Sequence, residues 1–205
     1  MNTKDKRVSL VNRIKASADY KSFAGILANK KSNEEAAKLI LESHAGRLTM
    51  KQLSFVFDLV DEPYPCHVGG KLVRGPWFGR LLKPNAQNFL NKSEGEINDW
   101  FGIMLNKQIP AVRRLDLLQS EQYKVEGISI GFITLMLYVL EKEDYMIWFK
   151  KLHEGLEILY PELGKYTGHP DQYLYFNEKA REFASEFGFE PTEMDWVLST
   201  GIKKA

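Results

Sequence analysis

Hydrophobic positions along this chain recur every three to four residues. Leu53, Val56, Phe57 and Val60 form one stripe, and Ile97, Trp100, Phe101, Met104 and Leu105 form a second. Tyr173, Phe176, Ala180, Phe183, Ala184 and Phe187 form the longest. That spacing puts each set on one face of a helix with 3.6 residues per turn. Polar residues mark the expected starts. Ser32 precedes Glu35 by three positions, as Thr49 does Gln52 and Ser93 does Glu96. In each pair two side chains can satisfy reciprocal orphan amides of a first helical turn. Gly188 follows the long stripe and suits a C-terminal stop. Pro191-Thr192 opens a last helix carrying Met194, Val197 and Leu198. Strand-like alternation is scarce. The pattern predicts a mainly α, multi-helix protein of roughly nine to eleven helices, built as a single domain or two lobes.

Residues 61–79, DEPYPCHVGGKLVRGPWFG, break the rhythm with three prolines and four glycines. They read as a long loop, or as a short hairpin over His67–Val73 around Gly69-Gly70. Taken as a connector, the segment separates an N-terminal helical lobe (residues 1–60) from a helical core (61–205), unless the whole chain is one compact domain.

The composition is that of a globular protein, 44% apolar and 27% charged. A single cysteine, Cys66, excludes a disulfide scaffold. The longest uncharged apolar run, Gly127 to Leu140, is too short for a bilayer and suits a buried helix. The charged start (Lys4, Asp5, Lys6, Arg7) lacks the apolar core of a signal peptide, so a cytoplasmic address with no membrane partner is expected.

The net charge of +1 conceals an asymmetry. Residues 1–31 carry eight bases against two acids, and residues 63–93 carry five bases (Lys71, Arg74, Arg80, Lys83, Lys92) and no acid. Residues 141–205 carry thirteen acids against eight bases. Such a distribution either forms a one-sided field that attracts a polyanion or scatters over a solvated surface.

Catalytic signatures are missing. Cys66-His67 has no second cysteine or nearby histidine to complete a zinc site, and no GxSxG elbow or P-loop occurs. His44, His67, His153 and His169 lie far apart and read as surface or capping histidines. Glu186, Glu190, Glu193 and Asp195 read as a solvated helix face. No catalytic residue, metal ligand or cofactor is assigned.

Binding chemistry concentrates in residues 71–92, KLVRGPWFGRLLKPNAQNFLNK. Lys71, Arg74, Arg80, Lys83 and Lys92 suit phosphates, and Trp77 suits stacking on a base. Asn85, after Pro84, is a candidate N-cap at an anion-binding helix start. The opposing reading makes Trp77, Phe78, Leu81 and Leu82 core, with the bases reaching out to water. Arg113-Arg114 would extend the patch. Gly127–Gly131, with Ser129 inside it, is either a backbone phosphate cradle or a tight turn whose glycines permit close packing.

GISIGFITLMLYVLEKEDYMIWFKKLHEGLEIL, beginning at Gly127, resembles a segment in the N-terminal regions of McrB-like restriction proteins and related defence ATPases. The shared elements are the glycine-pinned turn, the acidic corner Glu141 to Asp144, Tyr145-Met146-Ile147-Trp148, and Gly155-Leu156. Tyr173, Phe176, Asn177 and Asp195-Trp196 are similar too, as is WFGRLLKPN at residues 77–85. The resemblance implies a non-catalytic recognition domain that binds DNA, sometimes modified, and delivers it to an AAA+ motor and a partner nuclease. With no Walker motif, the chain would supply only the recognition part. A more distant likeness to helix-hairpin-helix glycosylases fails at the catalytic aspartate, since residues 147–149 are Ile-Trp-Phe. The alternative function is an all-α protein-interaction adaptor.

Overall fold

A computed structural model of the chain describes residues 3–61, 65–68, 71–74 and 88–205. The protein is mainly α, as its periodicity predicts. Eleven α-helical segments occur among the described residues. They are α1 (Thr3–Ala16), α2 (Ala18–Ala24), α3 (Leu27–Ser43), α4 (Met50–Asp61), α5 (Glu94–Leu105), α6 (Ala111–Gln119), α7 (Ile130–Glu141), α8 (Lys150–Glu157), α9 (Pro170–Phe187), α10 (Pro191–Trp196) and α11 (Ile202–Lys204). A π-helical turn, Val197–Gly201, joins the last two. Strands β1 (Pro65–Val68) and β2 (Lys71–Arg74) pair antiparallel, with Pro65 opposite Arg74 and Val68 opposite Lys71. Part of the proline- and glycine-rich stretch is therefore the hairpin, not an open loop.

The described residues divide into two compact units. The first gathers residues 3–30, the hairpin and residues 148–205; the second gathers residues 31–61 and 88–147. The units interleave along the chain, so residues 3–30 and 31–61 belong to different units.

The second unit is built around α7. Every residue from Ile130 to Leu140 is buried, which is why this helix is apolar all round. Helices α5 and α6 pack on it and on each other. Phe89 anchors the aromatic part of this core, 4.8 Å from Trp100 edge to face and 5.3 Å from Phe132 in a stack. The polar groups on α7 are satisfied. Thr134 Oγ1 donates to the Gly131 carbonyl at 3.1 Å, and the Tyr138 hydroxyl donates to Glu34 on α3 at 2.9 Å. Ser93 and Glu96 form the expected capping box at α5, and Thr49 with Gln52 does the same for α4. Ser32 does not start a helix. It lies inside α3, which begins at Leu27, because the strong helix formers Leu27, Ala28, Lys30 and Lys31 carry the helix straight through the capping pattern.

In the first unit, Tyr173, Phe176, Ala180 and Phe183 of α9 are buried as one stripe. Gly188 ends that helix in the left-handed region at φ 65°, ψ 42°, which only glycine adopts without strain. Helix α8 lies directly on the π-helical turn. Gly155 sits so close to it that an added Cβ would fall 1.9 Å from the Leu198 carbonyl oxygen. The Gly155-Leu156 motif thus has a packing origin.

Candidate nucleic-acid interface

The hairpin places Lys71 and Arg74 on β2, and β1 lies against α2 within the first unit. The same unit holds the basic N-terminal segment, where Lys6 and Arg13 of α1 and Lys21 of α2 are exposed. The hairpin part of the middle basic stretch and the N-terminal basic segment therefore share one compact body, whereas Lys92 belongs to the second unit. Trp77, Arg80, Lys83 and Asn85 lie outside the described residues.

Other bases of the N-terminal segment turn inward. Arg7 Nη2 donates to the Leu159 carbonyl at 2.9 Å, with its guanidinium 3.8 Å from the Tyr160 ring centre. Lys15 Nζ donates to the Phe187 carbonyl at 2.6 Å, at the C-terminal end of α9. A cation there satisfies an orphan carbonyl and complements the helix dipole. Lys30 is buried between the Thr192 carbonyl (2.5 Å) and Asp195 (3.0 Å). Part of the charge asymmetry read from the sequence is thus internal: cations near the start bind carbonyls and carboxylates of the last 50 residues.

The acidic run near the C-terminus is corrected accordingly. Glu186 and Glu190 are exposed, but Glu193 and Asp195 are buried. The Tyr20 hydroxyl donates to Glu193 at 2.5 Å, and burial, reinforced by that hydrogen bond, pushes the phenol well above its ordinary range. Burial also raises the Asp195 carboxyl, while Lys30 pulls it back down. These groups hold α2, α3 and α10 together; Lys30, Glu193 and Asp195 are buried and Tyr20 is half-buried.

Arg114 is a second correction. It was expected on a helix surface but is 2% exposed. Its Nη1 donates to the Met104 carbonyl at 2.7 Å and to Glu141 at 2.5 Å, closing the end of α5 and bracing α7. Phosphate has no access to it. Adjacent helical residues point about 100° apart, so Arg113 is exposed while Arg114 is not. The sequence carried the signal: Ala111, Arg114, Leu115 and Leu118 follow the 3.6-residue repeat, and all four are buried.

Lys92 is half-buried and bonds to Glu96 at 3.0 Å. Both line a small groove with Asp99 and Lys124, so carboxylates offset the cations there. The Ser93 backbone N–H, then Lys92 and the Ser93 hydroxyl, hold the Glu96 carboxyl down at about 2. The stabilisation this reflects is present above the ordinary value of 4.5 and is lost as pH falls towards 2. In an NMR titration, Lys92→Met should raise the Glu96 midpoint only part of the way to 4.5, because the Ser93 amide remains. A midpoint unmoved by the substitution would show that Lys92 and Glu96 do not pair in solution.

Ser129 is exposed and occupies the N-cap position of α7, its side chain making no capping bond. Its carbonyl accepts from the Phe132 and Ile133 amides. Gly127 turns the chain at φ 77°, but Gly131 is the buried second residue of α7. Only Gly127 therefore belongs to the turn, while Gly131 lies inside the helix that follows.

The Tyr-Met-Ile-Trp motif also resolves into packing. Trp148 Nε1 donates to His153 Nδ1 at 3.1 Å, so His153 Nε2 carries the proton and donates to the Gly164 carbonyl at 2.8 Å. His153 is fully buried among Trp148, Tyr166 and Phe176, and is neither a surface nor a capping histidine. His169 does cap α9, accepting from the Asp171 amide. Among the described residues no cluster of His, Cys, Asp and Glu could hold a metal ion, and no helix is long and apolar enough to cross a membrane. No family model, curated protein or solved structure matches this chain.

Proposed function

We propose that the chain is a non-catalytic DNA-recognition domain of a cytoplasmic restriction or defence system, as the McrB-like resemblance implies. In this reading it grips the phosphate backbone through its basic, aromatic-containing middle segment and hands the DNA to an AAA+ motor or nuclease. The observation that carries the reading is the hairpin: it seats Lys71 and Arg74 in the unit that also exposes Lys6, Arg13 and Lys21. Cations gathered on one body raise the local potential that a polyanion feels, whereas scattered ones do not. Arg114 no longer belongs to this surface, and Lys92 contributes little beside Glu96.

Fluorescence-polarisation titrations against duplex, single-stranded and modified oligonucleotides at two salt concentrations test the reading. Binding should weaken steeply with salt. Arg80→Glu should lower affinity about tenfold, and each phosphate contact removed should reduce the log–log salt slope by about one. Salt-independent binding, or equal affinity for wild type and Arg80→Glu, would count against it.

The adaptor reading draws on a different observation. Leu39 of α3 and Phe55 of α4, both in the second unit, are 65% and 54% exposed. An adaptor would lose partner capture on Leu39→Ser or Phe55→Ser while remaining indifferent to Arg80→Glu.

A further inference from the structure

Helix α1 carries cations of two kinds. Arg7 and Lys15 are tied to the carbonyls of Leu159 and Phe187. Lys6 and Arg13, seven residues apart, lie on one exposed face. Arg13 makes no side-chain hydrogen bond or ion pair among the described residues. It borders a cleft of about 420 Å³ within the first unit, together with Ser17, Asp19, Trp196, Lys204 and Ala205. Lys204 comes from the far end of the sequence and bonds to Asp19 at 3.1 Å. The cleft sets two cations, Arg13 and Lys204, against the Asp19 side chain and the carboxylate of the terminal residue Ala205, and Arg13 is the cation without a side-chain partner among the described residues.

We infer that the cleft between Arg13 and Lys204 is a phosphate-contact point for the DNA backbone. This inference rests on the DNA-binding reading and adds a seat that the basic middle segment does not include. The Arg13 guanidinium is a planar fork that can donate twice to one phosphate, and Lys204 adds a point charge from the opposite wall. Ser17 is not a donor here, since its hydroxyl already donates to the Ile14 carbonyl. Asp19 opposes binding: a phosphate must share Lys204 with it. Removing that carboxylate therefore strengthens the site, a direction of change that damage to the fold does not produce.

The test is fluorescence polarisation of the full chain with a labelled duplex oligonucleotide at 50 and 150 mM salt. Arg13→Glu, Asp19→Asn and the control Lys150→Glu are run beside wild type. Lys150 lies on α8, and its side chain is 74% exposed. Arg13→Glu should bind about tenfold more weakly, with a salt slope shallower by one to two, while Lys150→Glu should match wild type. Asp19→Asn should bind more tightly. Thermal midpoints equal to wild type would confirm that all three variants fold. If wild type binds with a salt dependence that Arg80→Glu weakens but Arg13→Glu behaves like Lys150→Glu, the cleft is overturned and the domain reading stands. Asp19→Asn binding no tighter than wild type likewise counts against the cleft. A wild-type chain that binds no oligonucleotide overturns both.

Discussion

Replacing Gly155 with alanine is expected to cost about 3 kcal/mol or more of stability, an overpacking penalty at the upper end of the usual range. The new Cβ would lie 1.9 Å from the Leu198 carbonyl oxygen and 2.8 Å from its carbon. Both are backbone atoms, so no rotamer change relieves the contact. Either α8 lifts from the π-helical turn or the turn itself rearranges. In a chain of this size a loss of that order lowers the melting midpoint by roughly 10 °C. Gly102→Ala is the companion measurement. Gly102 lies within α5, where an added Cβ meets nothing within 4 Å, and alanine should leave stability unchanged or raise it by about 0.5–1 kcal/mol. If Gly155→Ala melts within about 2 °C of wild type, α8 does not rest on that carbonyl.

The second large effect concerns Lys30. Its ammonium is buried against Asp195 and the Thr192 carbonyl. Lys30→Met would leave a buried carboxylate without its cation, a loss of about 3–5 kcal/mol in urea unfolding at pH 7. The sign of the pH dependence follows. Burial holds Asp195 above its ordinary range, and removing Lys30 takes away the main opposing pull. A carboxyl raised in the folded state favours folding below its unfolded value of 3.8, and the advantage disappears as pH rises through the folded value. The variant should therefore regain stability on acidification, relative to wild type. The double variant Lys30→Met/Asp195→Leu should recover most of the loss, because no charge is left buried. A double variant as unstable as the single one would assign the loss to packing around the lysine stem.

Local features were legible in the sequence. The stripe from Leu53 to Val60 and the box at Ser93 needed only helical spacing and first-turn chemistry, and both are where the pattern puts them. Gly188 was legible because a left-handed stop has a residue preference of its own. What failed was the assumption that a charged residue faces water. Arg114, Lys30, Glu193 and Asp195 are all buried, each against a partner that spacing alone does not reveal. Arg114 was nevertheless recoverable, since it occupies an apolar position of its own helix. Lys30 and Asp195 were not, because nothing local announces a pair 165 residues apart. The candidate interface was legible as composition only. That Lys71 and Arg74 share a body with the N-terminal bases, while Lys92 does not, is a property of the fold.

The make-up of the first unit also sets an order of events during synthesis. Arg7 finds its carbonyl 152 residues later and Lys15 finds its own 172 residues later. The second unit has every residue it needs once Ile147 is made, while the first still lacks residues 148–205. At about 5–20 residues per second, that lag lasts roughly 3–12 s. Over that interval α1, with its cationic side chains still unengaged, is exposed to chaperones and to ribosomal RNA before the carbonyls that will retain it exist.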